Sequence, residues 1–200
     1  MLGACALFAA YAIVAGLQQR SLLHRVDTSP GSVTLGQVQA DSDRTDMVNT
    51  VSTILVVTTG LAFVVWFFQA YRNVPALGRP RRYAAGWAIG WWFVPFACLW
   101  CPASVARDIN ASIDDEYSRD WEITRWVLNA WWGAWLLMLV LGATANGENG
   151  SVHTLHDALS ANALYLARDV AAVVAAVLAG ALVVRLTRRT RIVTGVPQLV

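Results

Sequence analysis

Residues 83–104 read YAAGWAIGWWFVPFACLWCPAS. The segment carries no charge and has the length of a membrane span, which needs about 20 apolar residues. Its composition argues otherwise. Trp87, Trp91, Trp92 and Trp100 suit the headgroup region, where an amphipathic ring can be half wet. Pro95 removes a helix hydrogen bond and clashes with the preceding turn, and Pro102 halts whatever follows. Irregular backbone survives at membrane depth only where protein or water covers it. A re-entrant or interfacial helix–Pro–helix segment is therefore expected over residues 84–106. The alternative is a fifth span with a proline kink.

The rest of the chain sets this segment in a membrane. Of 200 residues, 56% are hydrophobic and 14% are charged. A soluble domain carries about 25% charged residues, and a disordered chain is poorer in apolar residues. All 15 basic residues are arginine, and the net charge of +2 is too small to argue for nucleic acid. No basic stripe interleaves with aromatics, so no nucleic-acid partner is expected. Spans are expected at about 1–19, 47–71, 126–145 and 163–186, within one integral membrane domain covering residues 1–200. The first apolar run has no basic residue before it, and Leu2-Gly3-Ala4-Cys5 has no hydrophobic region before it. It therefore reads as a retained helix, neither a signal peptide nor a lipidation site. Residues 20–46 form an expected outer loop, with a turn at Ser29-Pro30-Gly31 and a short amphipathic surface helix around Leu35 and Val38.

Arginines orient the spans. Arg72, Arg79, Arg81 and Arg82 form one acid-free cluster, and Arg185, Arg188, Arg189 and Arg191 form another. Both are expected in the cytoplasm by the positive-inside rule. Residues 144–162 lack arginine and are expected outside. Five crossings would put the two clusters on opposite sides. Four crossings plus a non-crossing segment 84–106 put both inside, with both termini cytoplasmic.

Several residues could carry chemistry, and each has a plainer reading. Cys98-Leu-Trp-Cys101 is a C-x-x-C, which in a thioredoxin-like context would mean redox work. Here no βαβ unit surrounds it, and buried cysteine is a common small hydrophobe. His153 and His156 with Asp157 offer two imidazoles and a carboxylate, where a catalytic zinc takes three protein ligands, but no further histidine-like partner stands nearby, and the plainer reading is a polar loop leading into a helix. No metal or other cofactor is expected. Arg168 and Asp169 sit inside the last span, where ionisable residues are costly. Neighbours on a helix do not face each other, so Asp46 or Asp157 is a plausible partner for Arg168, or both heads snorkel outward. Asn49, Thr50, Ser52, Thr53, Thr58 and Thr59 make the second span polar, for helix packing or for lining a small cavity. Gly86-x-x-x-Gly90 permits close helix contact. Asp114, Asp115 and Glu116 with Asp120 and Glu122 read as a solvated connector.

The runs WFFQAYRNVPALG, GWAIGWWFVPFACLWCPASVARDI and LNAWWGAWLL, in this order, resemble an actinobacterial multi-pass membrane family, domain of unknown function 4328. Trp66, Arg72, Asn73, Gly86, Trp87, Gly90, Trp92, Pro95, Leu99, Trp100, Pro102, Asp108, Trp131, Trp132 and Trp135 carry the resemblance. Cys98 stands where that family usually has asparagine, which makes the C-x-x-C incidental. The family implies no activity. On the expected topology Arg72, Asn73 and Asp108 meet at the cytoplasmic face, and Arg72 is expected to pair with Asp108.

The expectation is thus an all-α polytopic transmembrane helical bundle of four spans plus a Trp/Pro-rich segment, in the bacterial plasma membrane. It is non-enzymatic, with the lipid bilayer and either itself or another membrane protein as partners. The alternatives are a small transporter or ligand-binding membrane protein, and a redox protein using Cys98 and Cys101.

Overall fold

The computed structural model describes residues 14, 16–18, 20, 21, 34–113, 118–149 and 155–194. The expected first span, 1–19, falls mostly outside the described residues, although Val14, Gly16, Leu17 and Gln18 are helical. His153 and the side chain of His156 also fall outside them.

All regular structure among the described residues is helical. Three helices are long: α1 (Leu35–Arg72), α4 (Arg119–Asn149) and α5 (Leu155–Thr194). Two further α-helices are shorter, α2 (Trp87–Gly90) and α3 (Cys101–Ile113), and 3-10 turns form at Val74–Leu77 and Ala97–Leu99. The β-branched run of α1, from Val51 to Thr59, is a poor helix former in water. In an apolar medium each backbone N–H must find a partner within its own segment, and the helix supplies one. Within α1, α4 and α5, residues Gln39–Arg72, Arg119–Gly147 and Leu159–Ile192 are long and apolar enough to cross a membrane.

The helix ends follow local rules. Thr34 and Gln37 form a reciprocal cap at the start of α1. The Gln37 N–H donates to Thr34 Oγ1 at 3.3 Å, and the Thr34 N–H donates to Gln37 Oε1 at 3.0 Å. This cap starts one continuous helix. Residues 35–46, expected as loop and surface helix, are its charged first turns, with Arg44 paired to Asp41. Asp120 and Glu122 open α4, Asp157 opens α5 and Arg191 closes it, each sign complementing the helix dipole.

The chain divides into two compact units, residues 1–58 with 134–174, and residues 59–133 with 175–200. In the first unit α4 and α5 meet through small residues. Ala145, Ala161 and Ala171 are buried, and Tyr165 donates to Asn146 Oδ1 at 3.1 Å. The bare Cα of Gly142 faces the Arg168 stem. The pairings 142 with 168 and 146 with 165 run in opposite sequence senses, so the two helices are antiparallel there.

Among the described residues, most of the buried apolar side chains lie in the second unit. Its centre is α3, whose Cys101, Pro102, Ala103, Val105, Ala106, Ile109, Asn110, Ser112 and Ile113 are all buried. Pro102 does not halt the chain. It lies in the first turn of α3, where the missing N–H had no helical partner to lose. Of the acidic run expected as a solvated connector, Asp114, Asp115 and Glu116 fall outside the described residues, and Asp120 and Glu122 belong to the first turn of α4. Phe67, Tyr71, Leu128, Trp131, Leu182 and Leu186 from the long helices complete the core.

Candidate functional site

The Trp/Pro-rich segment forms an out-and-back hairpin within the second unit. Its outward leg leaves α1 through a left-handed Gly78 (φ 84°). It is tied to the last turn of α1 where the Tyr83 N–H donates to the Tyr71 hydroxyl at 2.9 Å. Trp87 and Trp91 then stack at 4.2 Å, with Tyr83 edge-on to Trp91 at 5.5 Å. At Trp92 the leg reaches an aromatic cluster. Its ring lies 6.1 and 6.2 Å from Phe63 and Phe67 of α1, and 6.5 and 6.2 Å from Trp131 and Trp132 of α4. From Tyr71 back to Phe63 is eight residues, so the leg climbs about 12 Å along α1.

The turn lies between Val94 and Trp100. Pro95 has no N–H to continue a helix, and Phe96 takes φ 63°, a conformation costly for a residue with a side chain. Phe93 and Phe96 are 77% and 75% exposed at this tip, where a water-soluble fold would hide them. Trp132 of α4 closes the turn, its Nε1–H donating to the Leu99 carbonyl at 3.1 Å. The return leg is α3. No continuous helix spans 84–106.

Both feet of the hairpin reach the arginine-rich helix ends. Arg82, before the outward leg, lies 3.7 Å from Asp108 in α3. Burial raises the Asp108 carboxyl pKa, while the Arg82 cation and a hydrogen bond from the Tyr71 hydroxyl hold it down. Further along α3, Asn110 Nδ2 donates to the Trp121 carbonyl at 3.4 Å. Arg189 of α5 binds both elements. Its Nη1 donates to Asn110 Oδ1 at 3.2 Å, Thr124 Oγ1 at 2.9 Å and the Asp120 carbonyl at 3.3 Å. Trp66 Nε1 donates to Thr187 Oγ1 at 3.1 Å, joining α1 to α5. The last turns of α1 and α5, the first turn of α4 and the end of α3 thus meet.

Several expected contacts are corrected. Arg72 does not pair with Asp108. It follows Tyr71 by one position, about 100° round the helix, so burying Tyr71 turns Arg72 outward, where it lies over the Phe68 ring at 5.9 Å. Arg82, ten residues further on, takes the carboxylate. Arg168 reaches neither Asp46 nor Asp157. Its Nε and Nη2 donate to Asp169 Oδ1 at 3.0 and 2.7 Å, and its guanidinium lies 5.3 Å from the Tyr165 ring. The long side chain doubles back along its own helix in the space Gly142 leaves. Gly86-x-x-x-Gly90 makes no helix–helix approach among the described residues. A Cβ on Gly86 would meet nothing, and one on Gly90 would meet Trp87 of the same turn.

Other expected residues fall as follows. Trp92, Pro95, Pro102, Asp108, Trp131 and Trp132 belong to the hairpin and its anchors. Trp87 and Trp100 are exposed on it, and Asn73 is exposed beside it. Cys98 and Cys101 are free thiols, half-buried and buried. The hydroxyls of Thr50 and Thr58 donate to carbonyls of their own helix, Asp46 and Ile54. Tyr71, Tyr83, Asn110, Thr124 and Arg189 went unrecognised as a set. The signal for α3 was present in Pro102, Val105, Ile109 and Ile113, a helical spacing.

These features define an all-helical protein with membrane-compatible long helices, built round a proline-broken aromatic hairpin. The chain belongs to the family described as Domain of unknown function (DUF4328), which it matches over residues 30–188. Neither curated proteins nor solved structures include a match to it.

Proposed function

We propose that this is a multi-pass protein of a bacterial, by resemblance actinobacterial, plasma membrane. It acts without catalysis, by packing with itself or another membrane protein. In this reading residues 1–19 and the three long helices are four spans, 84–106 is re-entrant, and both termini are cytoplasmic.

The observation that carries it is the surface of α1. Only 6% of its apolar window is buried inside the protein. Ile54, Val56, Val57, Leu61 and Val65 stand 52–68% exposed. Such a surface needs lipid or a partner helix against it. Charge supports the orientation. Residues 72–82 and 185–191 hold eight arginines and no acidic residue, whereas residues 144–162 hold no arginine, which fits the first two segments inside and the third outside.

Cysteines at Val57 and Leu61, in a chain whose three native cysteines are replaced by serine, test the lateral contact. Cross-linking in native membranes is expected to give one discrete larger species. If only monomer forms at both positions, and no stoichiometric protein co-purifies in mild detergent, the packing reading fails. A second reading, a small transporter or ligand-binding protein, draws on the Arg168–Asp169 pair inside a membrane-compatible helix, since ionisable residues there commonly mark a pathway.

A further inference from the structure

The second unit carries more arginine than its own contacts use. Arg82 is committed to Asp108, Arg107 donates to Asn129 at 3.4 Å, and Arg189 binds Asn110 and Thr124. Among the others, Arg72, Arg79, Arg81, Arg185 and Arg188 form no ion pair among the described residues, nor do Arg119 and Arg125 of α4. Arg72, Arg79 and Arg188 are exposed, and Arg81 and Arg185 are half-buried. Arg72 ends α1. Arg79 and Arg81 follow it in the turn leading to the hairpin. Arg185 and Arg188 lie one turn apart on α5 and flank Thr187, which accepts the Trp66 hydrogen bond. The rim therefore collects around one end of the unit. Of the nearby acids, Asp108 is engaged by Arg82, and Asp120 and Glu122 lie in the first turn of α4, in ion pairs with none of these five arginines.

We infer that this rim is a docking surface for anionic phospholipid headgroups of the surrounding leaflet. Charge complementarity argues for that occupant. An unpaired guanidinium presents a planar fork of donors matched to phosphate oxygens. Basic residues at a helix end are drawn to the negative potential of an anionic leaflet. The exposed Trp87 and Trp126, 44% and 66% accessible, suit the same depth, the headgroup boundary. A nucleic acid or acidic protein would use the charge but leave these rings unexplained. The inference rests on the membrane reading, and the test separates the two.

The full chain would be placed in nanodiscs of phosphatidylcholine. Quenching of tryptophan fluorescence by brominated phosphatidylglycerol would then be compared with quenching by brominated phosphatidylcholine. The wild type is expected to prefer the anionic lipid. The preference is expected to fall about fivefold for each arginine neutralised, in Arg79→Gln, Arg81→Gln and Arg188→Gln singly and together. Arg20→Gln with Arg25→Gln, in the other unit, is expected to leave it unchanged. Should the triple variant not fold, raising salt on the wild type serves instead, because exposed charges are screened and the preference should collapse. Failure to enter phosphatidylcholine discs at all overturns the membrane reading. Entry with under about twofold preference, a salt-insensitive preference, or an equal loss in the control variant overturns the lipid-docking inference alone.

Discussion

Replacing Arg189 by methionine keeps most of the side chain's length and removes its donors. In the folded protein Nη1 serves three acceptors, but they are not equally dependent on it. Thr124 Oγ1 also donates to the Asp120 carbonyl at 2.9 Å, so the hydroxyl keeps a partner. The Asp120 carbonyl keeps that same bond. Asn110 Oδ1, on a residue only 2% exposed, loses its acceptor contact with Arg189. Leaving one buried polar atom unpaired costs about 1–3 kcal/mol. The arginine is half-buried, so releasing its desolvation offsets part of that. The expected loss is about 2 kcal/mol. Asn110→Leu in the same chain removes the orphaned oxygen, and replacing both partners by apolar groups is close to neutral. The double variant should therefore recover most of the loss, with a coupling of about 1–2 kcal/mol in a double-mutant cycle. Equilibrium unfolding in mild detergent, followed by tryptophan fluorescence, measures each corner. A methionine variant within about 0.5 kcal/mol of wild type, or strictly additive effects, would refute the role given to Arg189 in joining α5 to α3 and α4.

Three further outcomes follow from other contacts. Trp132→Phe keeps an aromatic ring but strips the donor from the Leu99 carbonyl, so about 1 kcal/mol should be lost and amide exchange near the hairpin tip should quicken; unchanged exchange would contradict the closure. Because burial raises the Asp108 pKa, the folded state holds that proton more tightly than the unfolded chain. This site's contribution to stability should therefore fall as pH rises from the ordinary carboxylate value through the raised one, then level off. Asp108→Asn should abolish that difference and Arg82→Gln extend it upward; a contribution rising with pH is the opposite sign and would fail. Arg168→Met or Asp169→Leu alone should destabilise the protein more than the two together, because each single change strands a charge inside an apolar helix; a double variant worse than either refutes the pairing.

Composition and charge spacing made the long helices legible, since a charge-free run in a chain poor in charge has few other uses. The proline break was equally visible, because Pro95 removes a specific hydrogen bond. Contacts between segments were not legible. Nothing local tells Asp108 to choose Arg82 over Arg72; burial of Tyr71 decides it by turning its neighbour outward. Arg168 bonded to its own neighbour because Gly142, on another helix, left room for the stem. The start of α1 could have been read, since Thr34 and Gln37 stand at capping-box spacing, but the charged residues that follow imitate a loop. The helical spacing of α3 was masked by expecting Pro102 to halt the chain rather than to begin a helix.

The central claim is that the Trp/Pro-rich segment goes in and comes back on one side. Single cysteines at Arg81, Ser118, Asn149 and Gln198, in a chain lacking the native three, would be labelled in intact and opened cells with a membrane-impermeant maleimide. The account predicts that positions 81, 118 and 198 label only after opening, and that position 149 labels in intact cells. Labelling of 81 and 118 from opposite sides would mean that the segment crosses, and would contradict the account.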